Sequence, residues 1–505
     1  MAADWVGLIP LAPIAAAATV ATGLVSGHIG GEKDERLTAG IVLGGTALSL
    51  VLAATAAWLR ADDRLPDQIL SGTWLESGAY RIGLGFQPDR TGLSMTLLVA
   101  VLALLTQRFA VNYMHREPGY HRFFLVLSLF AGAMLLLALA GNVALAFVGW
   151  ELAGVCSYLL IAYAYDRPNA AANATRAFVT NRIGDAGFLV GIFLSFGWAG
   201  GLEWERIGSV APLLGTVKST VLATAFLTAA LAKSAQVPFT PWLARAIEGP
   251  TPSSAVFYGA LLVHAGAFLV LRLEPVFGAN PLAMHLLLAT GLLSAGYGWL
   301  CGLAQSDVKS ALIFATVAQV GLIFAEVGLG WWDLALWHLL AHSSLRAYQF
   351  LAAPGLMHQI RGIPTPPPHR WLARSRFLYL ATLQRLWLES LIDWLAVKPV
   401  QQISRDAQIL EAVVVVPAFG SPTDGGAAER NGAAAISASG LAGRLIARLA
   451  ETLQWFEDKL LLRGAGDRLV RSGRRLGNRL NHLERLLNRP RYTVLLILIT
   501  LLQVL

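Results

Sequence analysis

Charge is scarce in this chain. Only 14% of its 505 residues are Asp, Glu, Lys or Arg, against about 25% in soluble domains. Hydrophobic residues make up 55% and mean hydropathy is +0.57, so a soluble enzyme is excluded and a polytopic membrane protein is indicated. Cysteine is nearly missing as well. Cys156 and Cys301 both lie inside apolar runs, which supports neither a disulfide framework nor a cysteine metal site. The start, M-A-A-D-W-V, lacks a basic n-region, so the first apolar run is expected to be a retained span. Net charge is +8, but the excess is local. A basic skirt on the cytoplasmic face accounts for it, and a nucleic-acid partner is not expected.

What is present is a series of apolar runs. A span needs about 20 apolar residues. Candidates fall near 6–26, 38–59, 91–111, 122–140, 142–165, 175–198, 217–235, 253–272, 282–303, 309–330 and 332–353. Gly141-Asn142 predicts a tight turn, 60–90 a polar connection without chemistry, and Pro354-Gly355 the end of the last span. T-P-P-P at 365–368 reads as an extended connector. Residues 371–398 read as one more span with an interfacial end, and 419–440 as a flexible linker. From 441, Leu441, Leu445, Ile446, Leu449, Leu453 and Phe456 recur at helical spacing among arginines. That pattern predicts a long amphipathic helix lying on the membrane; an arginine-rich nucleic-acid arm is the competing reading, weakened by the leucine stripe. A short apolar helix closes the chain. The expected fold is an all-α polytopic membrane protein of about 12–13 transmembrane helices. Its expected parts are N-terminal helices and connection (1–84), a core (85–355), connector, extra helix and linker (356–440), the lateral helix (441–491) and a terminal helix (492–505).

Charges inside such runs are costly, by roughly 2.5–3.5 kcal/mol on insertion scales, and mark ion paths. Lys233 ends an apolar run, and Pro238 and Pro241 follow at once, so the helix breaks beside an ammonium. A lysine snorkelling from a helix end is the competing reading. Glu151 lies in the middle of an apolar run and is the natural counter-charge for Lys233; alternatively it is a protonated hydrogen-bond donor. Asp185 follows Arg182 by three residues, so the two can pair on one helix face as a structural ion pair or as part of a path. His338, His342 and Arg346 share a helix face by their spacing of four. Histidines there are proton shuttles or satisfied core residues. The glutamate of H-E-x-x-H is replaced by Leu339 and no third ligand is evident, so no metal is expected. His264 and Lys309 are further candidates, with packing and an Asp307 charge pair as their ordinary explanations.

The stretches G-W-E-L-A-G-V-C-S-Y-L-L-I (149–161), T-N-R-I-G-D (180–185), A-K-S-A-Q-V-P-F-T-P-W-L-A-R-A-I-E-G-P-T-P-S-S-A (232–255), Q-S-D-V-K-S (305–310) and H-L-L-A-H (338–342) resemble the antiporter-like membrane subunits of complex I, the subunit L type, and their Mrp relatives. The resemblance covers roughly residues 85–355. It implies proton movement, or sodium exchange in Mrp cases, without a bound cofactor or catalytic residue in this chain. It also implies a Glu151–Lys233 pair and a polar axis through Lys309, His338 and His342. The chain departs from that pattern in three places. Tyr258 stands where a histidine is common, with His264 following later. Arg346 stands where a lysine is usual, and arginine does not deprotonate. The connector leads almost directly to L-E-S-L-I-D-W-L-A-V-K-P (388–399), where further spans are usual.

That shortened form is similar to the membrane subunit of DAB-type inorganic carbon transporters. This narrower resemblance implies a large zinc-containing, carbonic-anhydrase-like partner of the DabA type. It implies a bacterial cytoplasmic membrane and cation flow driving CO2 hydration to bicarbonate, with the chemistry in the partner. The alternatives are a complex I or Mrp subunit proper, and a membrane anchor that conducts nothing.

Overall fold

A computed structural model describes residues 4–394 except 78–79 and 364–369, together with 398 and 402. Among them, ten helices are long and apolar enough to cross a membrane. The helices run α1 (Leu8–Ser26), α2 (Glu35–Ala61), then a hairpin of β1 (Ile69–Ser77) and β2 (Tyr80–Phe86), α3 (Arg90–Tyr113), α4 (Tyr120–Leu139), α5 (Val143–Ile161) and α6 (Pro168–Leu194). A short α7 (Trp204–Val210) precedes α8 (Gly215–Lys233), α9 (Pro241–Arg245), α10 (Thr251–Ser254), α11 (Leu262–Arg272) and α12 (Glu274–Gly278). Then come α13 (Pro281–Gly302), α14 (Val308–Gly328), α15 (Trp332–Gln359), α16 (Arg370–Ala373), α17 (Arg376–Leu383) and α18 (Leu388–Ile392). The expected lateral helix and terminal helix, with the linker, lie outside the described residues.

Four of the spans start where a short polar side chain caps them. Asp89, Asn142, Asn280 and Asp307 each accept a hydrogen bond from a backbone N–H three residues on, at 2.8, 2.8, 2.9 and 2.8 Å. Each satisfies one orphan donor of its helix. The span Thr251–Arg272 is buried along its whole length. Around it, outer helices leave Phe193, Leu292 and Leu293 more than half exposed, as lipid-facing positions require.

Three expectations change. The connection at 60–90 is an antiparallel hairpin. Its second strand is tied to the α4–α5 turn: Gly141 N donates to Gly85 O at 2.8 Å, and Asn142 Nδ2 donates to Gly83 O at 2.7 Å. Asn142 thus caps α5 and straps the hairpin with one side chain. Asn142→Ala is expected to cost about 1–3 kcal/mol through both losses, read as a lower melting midpoint of the detergent-solubilised protein; an unchanged midpoint would show the strap to be idle. Second, Pro354 does not end its span. α15 continues through it to Gln359, because a proline near a helix end removes one hydrogen bond without stopping propagation. Third, residues 370–392 are not one continuous span. Arg385, Leu386 and Trp387 all take positive φ, a conformation no helix propagates, and the segment divides into α16, α17 and α18.

The break after Lys233 is fully formed. Ala235 takes φ 50°, and Gln236 N returns to Leu231 O at 2.8 Å, which closes the α8 terminus. Trp242 Nε1 adds a bond to the Ala232 carbonyl at 2.9 Å, beside the one from Ala235 N at 3.2 Å, and Val237 N donates to Ser294 Oγ at 2.9 Å. Irregular backbone in an apolar surrounding persists only when its polar groups are satisfied this way. Pro241 opens α9, where its missing N–H costs nothing. A second interruption follows at Ala255–Ala260, where the chain widens into a π-type turn.

Candidate functional site

Lys233 occupies the last residue of α8 and is 1% exposed. A helix C-terminus favours a cation, and the carbonyl of Trp150 accepts from Lys233 Nζ at 3.1 Å. The ammonium lies 4.0 Å from Asp185 Oδ1 and 4.7 Å from the centre of the Trp150 ring. Trp150 Nε1 donates to the same Asp185 oxygen at 2.7 Å. Arg182, one turn before Asp185 on α6, places Nε 3.0 Å from Asp185 Oδ2 and pairs through Nη1 with Glu151 Oε2. Gly154 leaves the room for this. A Cβ there would stand 3.3 Å from Lys233 Nζ and 3.4 Å from Arg182 Nη2. Two acids and two cations therefore share one site, Lys233 and Asp185 buried and Glu151 and Arg182 partly exposed, with Trp150 holding both Asp185 and Lys233.

The Glu151–Lys233 pair that the resemblance implies is not the nearest one in this geometry. The carboxylate nearest Lys233 is Asp185, and Glu151 takes Arg182 as its partner. The reason is steric: the residue of α5 that faces the ammonium is Trp150, whose carbonyl and ring occupy that side.

A second polar row runs along α15 and α11. His264 Nε2 and His342 Nδ1 are 2.9 Å apart. Arg346 Nε donates to His342 Nε2 at 3.0 Å and its Nη1 to Gln349 Oε1 at 2.7 Å. His338 faces His342 with ring centroids 6.0 Å apart. Its Nδ1 is 2.8 Å from Glu326 Oε1 and its Nε2 is 3.0 Å from Gln319 Oε1. The two rows meet through packing: Gly266, two residues after His264 on α11, lies against Ala230 and Ser234 of the α8 turn that carries Lys233. Lys309 stands apart. It donates to Thr251 Oγ1 at 2.8 Å, which also contacts Tyr113 Oη at 3.0 Å, while Asp307 serves as the α14 cap. Tyr258 is buried in the π-type turn, and its hydroxyl has no hydrogen-bond partner among the described residues. No three His, Cys, Asp or Glu side chains converge as a metal site among the described residues.

Sequence reasoning passed over Trp150, Gln319 and Glu326. Glu326 was findable: it is another carboxylate within an apolar run, and seven residues from Gln319 puts both on one helix face. A further charged site lies where the spans end beside the hairpin. Arg272, ending α11 with its side chain 4% exposed, pairs through Nη1 with Asp89 Oδ2 and donates from Nη2 to Ala138 O at 3.1 Å. Next to it, partial burial and the neighbouring Asp333 hold the Glu274 carboxyl above its usual range.

Residues 140–365 match the family described as NADH:quinone oxidoreductase/Mrp antiporter, transmembrane, and residues 74–124 match complex I chain 5 N-terminus. Together these matches span more than half of the chain. The chain belongs to the antiporter-like membrane subunits of the complex I and Mrp type. Among this family, NAD(P)H-quinone oxidoreductase subunit 5 of Nephroselmis olivacea is 37% identical over 358 residues, which are 70% of this chain and 55% of that protein. NADH-quinone oxidoreductase subunit L of Mycobacterium tuberculosis is 38% identical over 57% of this chain and 46% of its own length. The chain thus spans about half the length of the curated relatives it matches. The Mrp complex from Dietzia sp. DQ12-45-1b superimposes with a TM-score of 0.60 at 25% identity, over 70% of this chain and 38% of that one. An archaeal respiratory complex, membrane-bound sulfane sulfur reductase, shares the fold with a TM-score of 0.61 at 22% identity, over 70% of this chain and 72% of that one. The chain is therefore a multi-pass membrane chain of this family, and its relatives are named as subunits or chains of larger complexes.

Proposed function

We propose that this chain moves protons across a bacterial cytoplasmic membrane as the antiporter-like subunit of a complex of the complex I or Mrp type. The observation that carries the reading is the buried Lys233–Asp185–Trp150–Arg182–Glu151 network at a broken helix. A proton delivered to Asp185 removes the counter-charge of Lys233, and the ammonium then gives up its own proton onward or shifts toward Glu151. Acids and bases that share one apolar site couple their proton occupancy in this way. His264, His342 and His338, with Glu326, form the onward row on the α11 and α15 side. Arg346 holds the end of that row as a fixed cation. Lys309 is a terminal group of the path through Thr251. Tyr258 lies beside the row and adds polarity without joining it. The cargo is read as a proton because Lys233, Asp185, Glu151, the three histidines and Glu326 can each exchange one, while the arginines stay charged.

The test is to reconstitute the complex containing the full chain in lipid vesicles and follow a trapped pH dye under an imposed membrane potential. Flux above that of protein-free vesicles, unaffected by sodium, is expected, and Glu326→Gln should slow it several-fold. Flux that tracks sodium at constant pH gradient, or none at all, contradicts the reading.

A narrower second reading is energised CO2 uptake of the DAB type, in which a zinc-containing, carbonic-anhydrase-like DabA-type partner hydrates CO2 and this chain supplies the ion flow. It is favoured by the short helices α16 to α18 that follow α15, where the family resemblance leads one to expect further spans. Copurification separates the two: one large zinc protein supports carbon uptake, and a set of membrane subunits supports the complex I or Mrp assembly.

A further inference from the structure

A charged vestibule opens beside the hairpin. It has a volume of about 930 Å³ and is lined by Gln68, Gln87, Asp89, Arg90, Glu205 and Arg272, among others. Next to it, sharing Arg272 and Trp204, lies a much smaller void of about 10 Å³, walled also by Leu137, Phe188, Phe268 and Trp150, of which Trp150 does not line the vestibule. About 10–15 Å³ is the least that holds one water, and an apolar wall of this kind dewets. Trp150 is the residue that holds Asp185 and Lys233. The order from the vestibule inward is therefore Arg272, a void of single-water size, Trp150, and the buried charge network.

Arg272 is built into its place. Asp89 and the Ala138 carbonyl hold its guanidinium, and Phe268 lies under it at 5.5 Å. Gly92 clears the seat: a Cβ there would come within 2.6 Å of Arg272 Nη2. Arg272 and Trp204 line both the vestibule and the void. Trp204 is fixed by its Nε1 hydrogen bond to Ala140 O at 2.7 Å. Arg272 is held by an ion pair whose carboxylate is one-quarter exposed to the vestibule, and it sits on a long flexible side chain.

The geometry points to Arg272 as the gate between the hairpin-side vestibule and the Lys233 network, with Asp89 as its latch. Seated, the guanidinium closes the void and presents a positive charge to any cation or proton arriving from the vestibule. Released from Asp89 and swung out toward Glu274, it admits water to Trp150. This assignment rests on the proton-conducting reading and adds the hairpin-side route to it.

Water access to the void tests it directly. In the full chain within its complex, with Cys156 and Cys301 replaced by Ser, one cysteine is placed at Leu137→Cys. A membrane-impermeant methanethiosulfonate reagent is applied from the hairpin side, and Gln87→Cys in the vestibule serves as the reference. Slow labelling of Leu137→Cys is expected in the parent. Labelling about tenfold faster or more is expected in Arg272→Ala, and likewise in Asp89→Asn, which keeps the guanidinium but weakens its latch. Gln87→Cys should label at one rate throughout. Parent labelling as fast as the reference overturns the gate, as does an unchanged rate in whichever of the two variants reaches the membrane folded. Labelling reports water access whether or not the chain conducts, so a failed gate and a failed conduction reading are separate results.

Discussion

Lys233→Ala is expected to abolish proton flux through the assembled complex, by about a hundredfold or more, as removal of a required proton carrier does. The substitution leaves Asp185 with Trp150 Nε1 and Arg182, so the fold around it should persist. Asp185→Asn should also stop flux, but by a different cause and with a different signature. It leaves a buried ammonium with the Trp150 carbonyl and ring and the more distant Glu151 as its remaining partners, and stripping the nearest partner from a buried pair costs about 3–5 kcal/mol. Less folded protein is therefore expected for Asp185→Asn than for Lys233→Ala. The double variant should recover the protein level without recovering flux, because the unpaired charge has gone with its partner. Size-exclusion profiles from detergent extracts report the first quantity, and vesicle pH traces the second. Flux in Lys233→Ala within about twofold of the parent would place the path elsewhere in the chain.

Gly266→Ala is expected to be the most damaging single methyl in the core. Its Cβ would fall 2.1 Å from Ala230 O and 2.4 Å from Ser234 Oγ. The nearer atom is backbone, so no rotamer relieves the clash and α11 must move off α8. Overpacking of this kind costs about 1–3 kcal/mol or more. Here it also parts the helix bearing His264 from the turn bearing Lys233. A lower melting midpoint together with strongly reduced flux is the expected result. Gly296→Ala is the matched control: nothing lies within 4 Å of its added Cβ, and replacing a helical glycine is worth roughly 0.5–1 kcal/mol in favour of alanine. Equal midpoints for the two variants would mean that the close α8–α11 approach carries no weight.

The spans and the break at Lys233 were legible because each has a local cause: twenty apolar residues, or prolines beside a charge. The partner of Lys233 was not. Whether Asp185 or Glu151 reaches the ammonium depends on how α5 and α6 are rotated, and spacing along one helix says nothing about that. Trp150 was hidden for the same reason, since its role comes from a backbone carbonyl and an indole N–H that any apolar pattern absorbs. The hairpin escaped because Gly83, Gly85 and scattered charges read as loop, while its support comes from Asn142, more than fifty residues away. Arg272 and Asp89 lie at the ends of different spans, 183 residues apart, and only folding makes them neighbours. The break at Arg385–Trp387 involves no glycine or proline, so no local signal marks it.

The hydrogen bond from Arg346 to His342 has a consequence for timing. Arg346 can only donate, so Nε2 of His342 must accept, and the proton of its neutral ring sits on Nδ1. That N–H points at His264 Nε2, which sends the His264 proton to its far nitrogen. The pair is thus polarised in one sense by a group that never changes charge. A proton relayed through both rings leaves them with the opposite polarity, and Arg346 then opposes that state until the rings turn back. On the proposed proton path, successive protons would be separated by a reset, which would give this row a built-in dead time and a preferred direction of travel.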